Sequence, residues 1–185
     1  MKLMMLAASL RKDSCNIKLI KLAAKLLLEQ GAHVDLLDFS VFDVPLYNGD
    51  TDAATGLPTG ALRFIHHMDK TDGLIISSPE YNFSMPGTLK NLIDWISRGK
   101  PEQPWKGRQI YLMSASPALV GGNRGLWNTR IPLESCGAFV YPDMFSLASA
   151  YTAFKENGDL NDANLQQRLD TTLQNFINYL QKLKA

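Results

Sequence analysis

Cysteine and histidine are scarce: Cys15 and Cys136 are the only thiols, and His33, His66 and His67 the only imidazoles, in 185 residues. With no CxxC and no Cys/His cluster at ligand spacing, neither a disulfide framework nor a metal site is expected. The histidines read as structural, two of them in a surface helix. Neither charge sign dominates, since 19 Lys and Arg face 18 Asp and Glu for a net +1. That balance excludes a general nucleic-acid binder and a strongly acidic electron carrier, so any anion site must be local. No apolar run approaches the roughly 18 residues that span a bilayer. GxGxxG and GxxxxGK[ST] are both absent, which removes support for a Rossmann dinucleotide site and for ATP chemistry.

What is present is the composition of an ordinary globular protein, 45% hydrophobic and 20% charged, with the length of one domain spanning residues 1–185. The opening MKLMMLAAS has two readings, a secretory signal or a buried strand. A signal needs an apolar segment of roughly 7 to 15 residues before its cleavage site, and Leu3 to Ala8 is shorter before Arg11, Lys12 and Asp13 intervene. A short continuous apolar run closed by polar turn residues is a strand covered on both faces. A cytoplasmic protein is the expectation.

Apolar residues then recur at helical spacing from Ile17 to Leu27 until Gly31. His33 to Phe39 reads as a strand, Val44 to Asp50 as a long loop, Leu62 to Met68 as a helix and Asp72 to Ser78 as a buried strand. Thr88 to Arg98 is a helix, Lys106 to Ser114 a strand, about Gly125 to Ser135 a helix, about Ala138 to Leu147 a fifth strand, and Leu160 to Leu183 a closing amphipathic helix. Five strands alternating with helices predict an α/β doubly wound parallel sheet. Ligands of such sheets bind beyond the carboxyl ends of the strands, where the polar loops after strands one, three and four emerge together.

The first loop, Ser9-Leu-Arg-Lys-Asp-Ser-Cys-Asn16, brings hydroxyls, a guanidinium and an amide to a helix start, the chemistry of a phosphate cradle. Simple helix capping by Ser14 or Asn16 is the plainer alternative. The second, Pro79-Glu-Tyr-Asn-Phe-Ser-Met-Pro-Gly87, either lines a planar ring with Tyr81, Phe83 and backbone donors or is a rigid turn whose aromatics pack in the core. The third, Ser116-Pro-Ala-Leu-Val-Gly-Gly122, adds a hydroxyl and a glycine pair that by itself marks only a turn.

Together these stretches are specific. Ser9-Leu-Arg-Lys with Ser14 and Asn16, Pro45-Leu-Tyr-Asn with Asp50, PEYNFSMPGTLKNLIDWISR, and Gly121-Gly122-Asn-Arg124 resemble the NADPH-dependent FMN reductases, including their chromate and quinone reductase branch. The resemblance covers most of residues 1–135, and beyond them only the general pattern matches. It implies a flavodoxin-like three-layer sandwich with a five-stranded sheet of order 2-1-3-4-5. It also implies FMN with its phosphate among Ser9, Arg11, Ser14, Cys15 and Asn16, and its ring among Pro79, Glu80, Tyr81, Asn82, Phe83 and Ser116. Phe83, Tyr47 and Arg124 are implied to meet the substrate. Two departures stand out: Asp13 occupies a place where the family usually has glycine, and Phe83 one where glycine, histidine or tyrosine is common.

The implied reaction passes electrons from NADPH or NADH through FMN to small acceptors: quinones, azo compounds, chromate or free flavin. No acid–base dyad is needed, because the flavin carries the chemistry. Two rivals share the fold: a flavodoxin-like electron carrier that docks to proteins, and a flavin-binding or flavin-free regulatory module without NADPH oxidation. The resemblance also implies a homodimer or homotetramer, with no nucleic-acid or membrane partner.

Overall fold

The computed structural model describes residues 1–184. Its frame is a parallel sheet built from β1 (Lys2–Ala7), β2 (His33–Leu37), β3 (Gly73–Ser77), β4 (Gln109–Ala115), β5 (Phe139–Val140) and β6 (Phe145–Leu147). The spatial order is β2-β1-β3-β4-β5, with β6 also paired to β4. The register runs from Leu3 opposite Gly73 to Ala7 opposite Ser77, so β1 and β3 end level with each other. Seven residues, Leu3 to Met5 and Leu74 to Ile76 with Leu112, are essentially inaccessible, as strands covered on both faces require.

Alternation within β1 divides the core in two. Leu3 and Met5 point to α1 (Cys15–Glu29) and α6 (Ala163–Lys182), packing with Leu19, Tyr111 and Phe176. Met4 and Leu6 point to α3 (Thr59–Met68), α4 (Gly87–Ile96) and α5 (Asn123–Ser135), packing with Phe64, Trp95 and Trp105. The result is the three-layer sandwich expected from the alternating elements.

Two elements depart from the sequence expectation. The fifth strand, expected unbroken from about Ala138 to Leu147, is divided into β5 and β6, giving six strands rather than five. Pro142 lies in the break, where it cannot donate to a ladder, and the Arg130 guanidinium serves the carbonyls of Val140 and Tyr141, each at 3.1 Å. The loop expected over Val44 to Asp50 is interrupted by α2 (Gly49–Thr55), capped by the Asn48 side chain accepting the Asp50 N–H at 2.8 Å. None of its residues is buried, so it shows no apolar periodicity from which a helix is read.

Tyr111, in the centre of β4, has its ring in the core 5.6 Å from that of Phe176 and its hydroxyl 2.9 Å from Thr172 Oγ1. Burial pushes its phenol well above the ordinary value, against the smaller opposing pull of the Thr172 hydrogen bond. A raised phenol favours the neutral form in the fold. Its contribution is therefore complete below the unfolded value near 10 and is lost as pH rises past it. Tyr111→Phe is expected to cost about 1 kcal/mol at neutral pH through the lost hydrogen bond and to lose less stability than the parent as pH climbs above about 10. Urea denaturation at both pH values checks this; an unchanged gap between the two proteins contradicts it.

Candidate functional site

The first loop starts where β1 ends. The Ala8 N–H still reaches the Ser77 carbonyl at 2.9 Å, and the Ser9 N–H then turns back to the Ala7 carbonyl at 2.7 Å. Ser14 caps α1 from extended backbone, its Oγ accepting the Asn16 N–H at 3.2 Å. Ser9 and Ser14 are buried, while Arg11, Lys12 and Asp13 are exposed. Among the described residues no carboxylate lies within ion-pair distance of Arg11. A guanidinium without a carboxylate partner, in a loop that leads into a helix start, is chemistry suited to an anion.

Asn16 does something the sequence expectation did not contain. Its Oδ1 accepts the Ser77 hydroxyl at 2.9 Å and the Ala115 N–H at 3.0 Å, and its Nδ2 donates to the Ala115 carbonyl at 2.9 Å. The side chain is thus engaged with the ends of β3 and β4, so what Asn16 offers the cradle is its place at the helix start. Cys15 likewise has its thiol in the core among the α1 contacts and contributes backbone at the first turn.

The second loop is a tight hairpin, with the Tyr81 N–H donating to the Ser84 carbonyl at 2.9 Å and the Ser84 N–H to the Tyr81 carbonyl at 3.0 Å. Between them Asn82 and Phe83 take positive φ, 51° and 65°. Asparagine tolerates that region; an aromatic residue is strained there by about 1–2 kcal/mol. The conformation is held from α5. The Arg124 guanidinium stacks on the Phe83 ring at 3.8 Å and donates through Nε and Nη2 to Glu80 Oε1 at 3.0 and 2.7 Å. Glu80 Oε2 accepts the Gly125 N–H at 3.0 Å, and the Asn128 amide donates to the Phe83 carbonyl at 2.9 Å. Gly125 is required for this approach, because a Cβ there would stand 3.0 Å from Glu80 Cβ.

Glu80, expected beside a ring, therefore has its carboxylate engaged with Arg124 and Gly125. Phe83 is 60% exposed, which removes the reading of its ring as core. Asn128 was not singled out from the sequence; its position one turn after Arg124 on the same helix face was the available signal.

Ser116 opens the third loop, its N–H on the Leu147 carbonyl at 3.0 Å and its Oγ accepting the Ala118 N–H at 3.2 Å. The start of α4 has no side-chain cap, Pro86 standing at that position, so its first N–H groups are available to a ligand, whereas at the start of α5 the Asn123 N–H donates to the Val120 carbonyl at 3.1 Å and the Gly125 N–H to Glu80. Each loop also carries an exposed apolar side chain: Leu10 at 62%, Phe83 at 60% and Leu119 at 90%. Tyr47 lies apart. Its ring packs on Trp95 with centroids 5.0 Å apart and beneath Arg98 at 5.2 Å, while its N–H donates to the Asn91 side chain at 2.8 Å. That places it along α4, its backbone one turn and its ring two turns from the helix start that follows the second loop.

Asn16→Ala removes the partner of the Ser77 hydroxyl and of both backbone groups of Ala115. Unpartnered buried groups cost about 1–3 kcal/mol each, so a loss of roughly 2–5 kcal/mol in urea denaturation is expected. A loss below about 1 kcal/mol would show that the strand ends need no tie.

Comparison with known proteins places the chain in a family. A family model described as NADPH-dependent FMN reductase matches residues 1–152. The quinone reductase of Escherichia coli K12 is 31% identical over 181 residues, covering 97% of this chain and 95% of its own. An NAD(P)H-dependent FMN reductase of Pseudomonas aeruginosa is 33% identical over 191 residues, covering 100% and 97%. Among solved structures, the flavoenzyme NAD(P)H:(acceptor) oxidoreductase FerB of Paracoccus denitrificans superposes with a TM-score of 0.84 at 28% identity, covering 98% of this chain and 97% of that one. With its model matched over residues 1–152 and relatives above 30% identity along nearly the whole length, the chain belongs to the NADPH-dependent FMN reductase family.

Proposed function

We propose that this chain, acting as one domain, binds FMN across the three loops and passes electrons from NADPH or NADH to small acceptors of the quinone class. The observation that carries the reading is the exposed Arg11, without a carboxylate partner among the described residues, in the same loop as the buried Ser9 and Ser14 before α1, with an exposed apolar side chain on each of the three loops. The donor set fits a phosphate dianion: a guanidinium, two hydroxyls and the Cys15 N–H at the start of α1, with the exposed Asp13 as the single opposing charge in the loop. Exposed apolar side chains on the three loops, with the uncapped start of α4 following the second, fit a flat ring with polar edges.

When bound, FMN supplies the redox chemistry, accepting a hydride from the nicotinamide and delivering two electrons to the acceptor. The protein's residues do the rest. Arg11 neutralises phosphate and fixes its position. N–H groups of the second-loop backbone and of the α4 start would hold the polar edge of the ring, and the positive end of the helix favours a negatively charged group there. Phe83, clamped by Arg124, offers a flat apolar face to nicotinamide and acceptor in turn.

The same reading includes a cytoplasmic location, for which no described helix is long and apolar enough to cross a membrane. It also includes a homodimer or homotetramer, supported by the exposed Trp127 and Ile131 one turn apart on α5; a mass by sedimentation tests this.

Arg11→Ala removes a charged hydrogen bond of roughly 1.5–3 kcal/mol, an expected loss in FMN affinity of about 10- to 150-fold with little change for riboflavin. Flavin-fluorescence titrations measure both, and equal losses for the two flavins contradict the phosphate assignment. Phe83→Gly relieves the positive-φ strain, so its melting temperature should stay near the parent's while KM for aromatic quinones rises about two- to tenfold. Unchanged kinetics with a large fall in melting temperature would reject the stacking role.

A further inference from the structure

Helix α1 carries Lys18, Lys21 and Lys25, spaced three and four residues apart on one exposed face. Lys18 and Lys21 lie in its N-terminal half, and no acidic residue stands in the first turn. Lys18, one turn in, opposes the helix dipole, and the neighbouring lysines repel one another, an arrangement that lowers helix stability. Only Lys25 is relieved, by Asp159 at 2.9 Å. Among the described residues Lys18, Lys21 and Lys155 have no carboxylate within ion-pair distance. In a chain of net charge +1 this is a local concentration of charge. A placement that works against its own helix points to a role in binding.

Facing these lysines is a small hairpin in which Phe154 bridges to Leu160 and the Lys155 N–H donates to the Asp159 carbonyl at 2.8 Å. Between hairpin and helix lies a cavity of about 550 Å³ lined by Lys18, Lys21, Lys25, Lys155, Tyr151 and Phe154. Glu156 is the one carboxylate at its wall. Tyr151 is 67% exposed, a flat ring with little covering it. A second cavity, about 400 Å³, shares Lys21 and reaches Ser9 and Lys12 of the first loop. Lys12 and Lys21 thus link the first loop to the larger cavity, with Asp38 the one carboxylate at the wall of the smaller.

We propose that the cavity between α1 and residues 151–158 is a second binding site, separate from the flavin's, for a phosphorylated aromatic compound of the adenine nucleotide class. Its volume is in the range of small-molecule sites. Tyr151 and Phe154 provide ring contact, and Lys18, Lys21 and Lys155 receive the phosphates. Such a ligand has two sources: a free nucleotide, or the adenosine phosphate end of the nicotinamide co-substrate. The second source rests on the function proposed above; the site itself does not.

The test titrates FMN-loaded protein with ADP and with adenosine by calorimetry, in the parent, in Lys18→Ala/Lys21→Ala and in Tyr151→Ala. ADP should bind more tightly than adenosine, and increasingly weakly as salt rises. The double variant should weaken ADP about tenfold and Tyr151→Ala about threefold. FMN affinity should be unchanged and the melting temperature no lower, since alanine removes unfavourable charge from an exposed helix face. A rise in KM for NADPH but not NADH in the double variant assigns the site to the co-substrate's 2′-phosphate; weakened ADP with both KM values unchanged assigns it to a free nucleotide. ADP binding no tighter than adenosine, or equal in parent and double variant, overturns the site. So does an equal loss of FMN affinity, which would make these lysines part of the flavin cradle. Absence of NADPH oxidation would overturn the function proposed above and leave the ADP titration as a valid reading of the second site.

Discussion

Three hydrogen bonds from Asn16 tie the start of α1 to the ends of β3 and β4. In a doubly wound sheet the loops after neighbouring strands emerge at one edge, but nothing in that topology sets their distances. The Asn16 amide does so, because its two polar ends are both satisfied only when the helix start, Ser77 and Ala115 are held together. The three loops that follow these elements then share one floor. A buried amide with every partner in place specifies a single arrangement, since any slip leaves donors and acceptors unpaired.

The second loop depends on a different device. Phe83 is in backbone that an aromatic residue rarely adopts, and the conformation persists because α5 holds it from three sides: the Arg124 stack, the Glu80 ion pair and the Asn128 bond to the Phe83 carbonyl. Glu80 keeps 8% side-chain exposure and is satisfied by Arg124 and the Gly125 N–H, which is how a nearly buried carboxylate is tolerated. Strain of this kind belongs where a side chain must be presented rather than packed. The exposure of Phe83 is thus a product of the clamp and not of a loose loop.

Much of this was legible in the sequence because it was written in periodicities. The buried runs at Leu3 and Leu74 gave a parallel sheet, and the leucines of α1 and α6 gave its covering helices. The PEYNFSMPG and Ser9–Asn16 stretches carried the family resemblance. What escaped has physical causes. Helix α2 buries nothing and so has no apolar pattern. The division of β5 from β6 turns on Pro142 and on Arg130 reaching back from α5, a tertiary contact. Asn16 was expected beside phosphate because its partners, Ser77 and Ala115, are distant in the chain. The engagement of Glu80 with Arg124 was hidden in the same way.

The account holds that these constraints exist to seat a flavin between a phosphate cradle and a clamped aromatic face, open to a nicotinamide and then to an acceptor. The measurement closest to that claim is anaerobic mixing of the FMN-reconstituted protein with NADPH, followed by the visible absorbance of the flavin, with benzoquinone added afterwards. The account predicts that NADPH bleaches the bound flavin and that benzoquinone restores it without oxygen. A protein that binds FMN but leaves it unbleached by both NADPH and NADH would contradict the account and make the fold an electron carrier or a regulatory module.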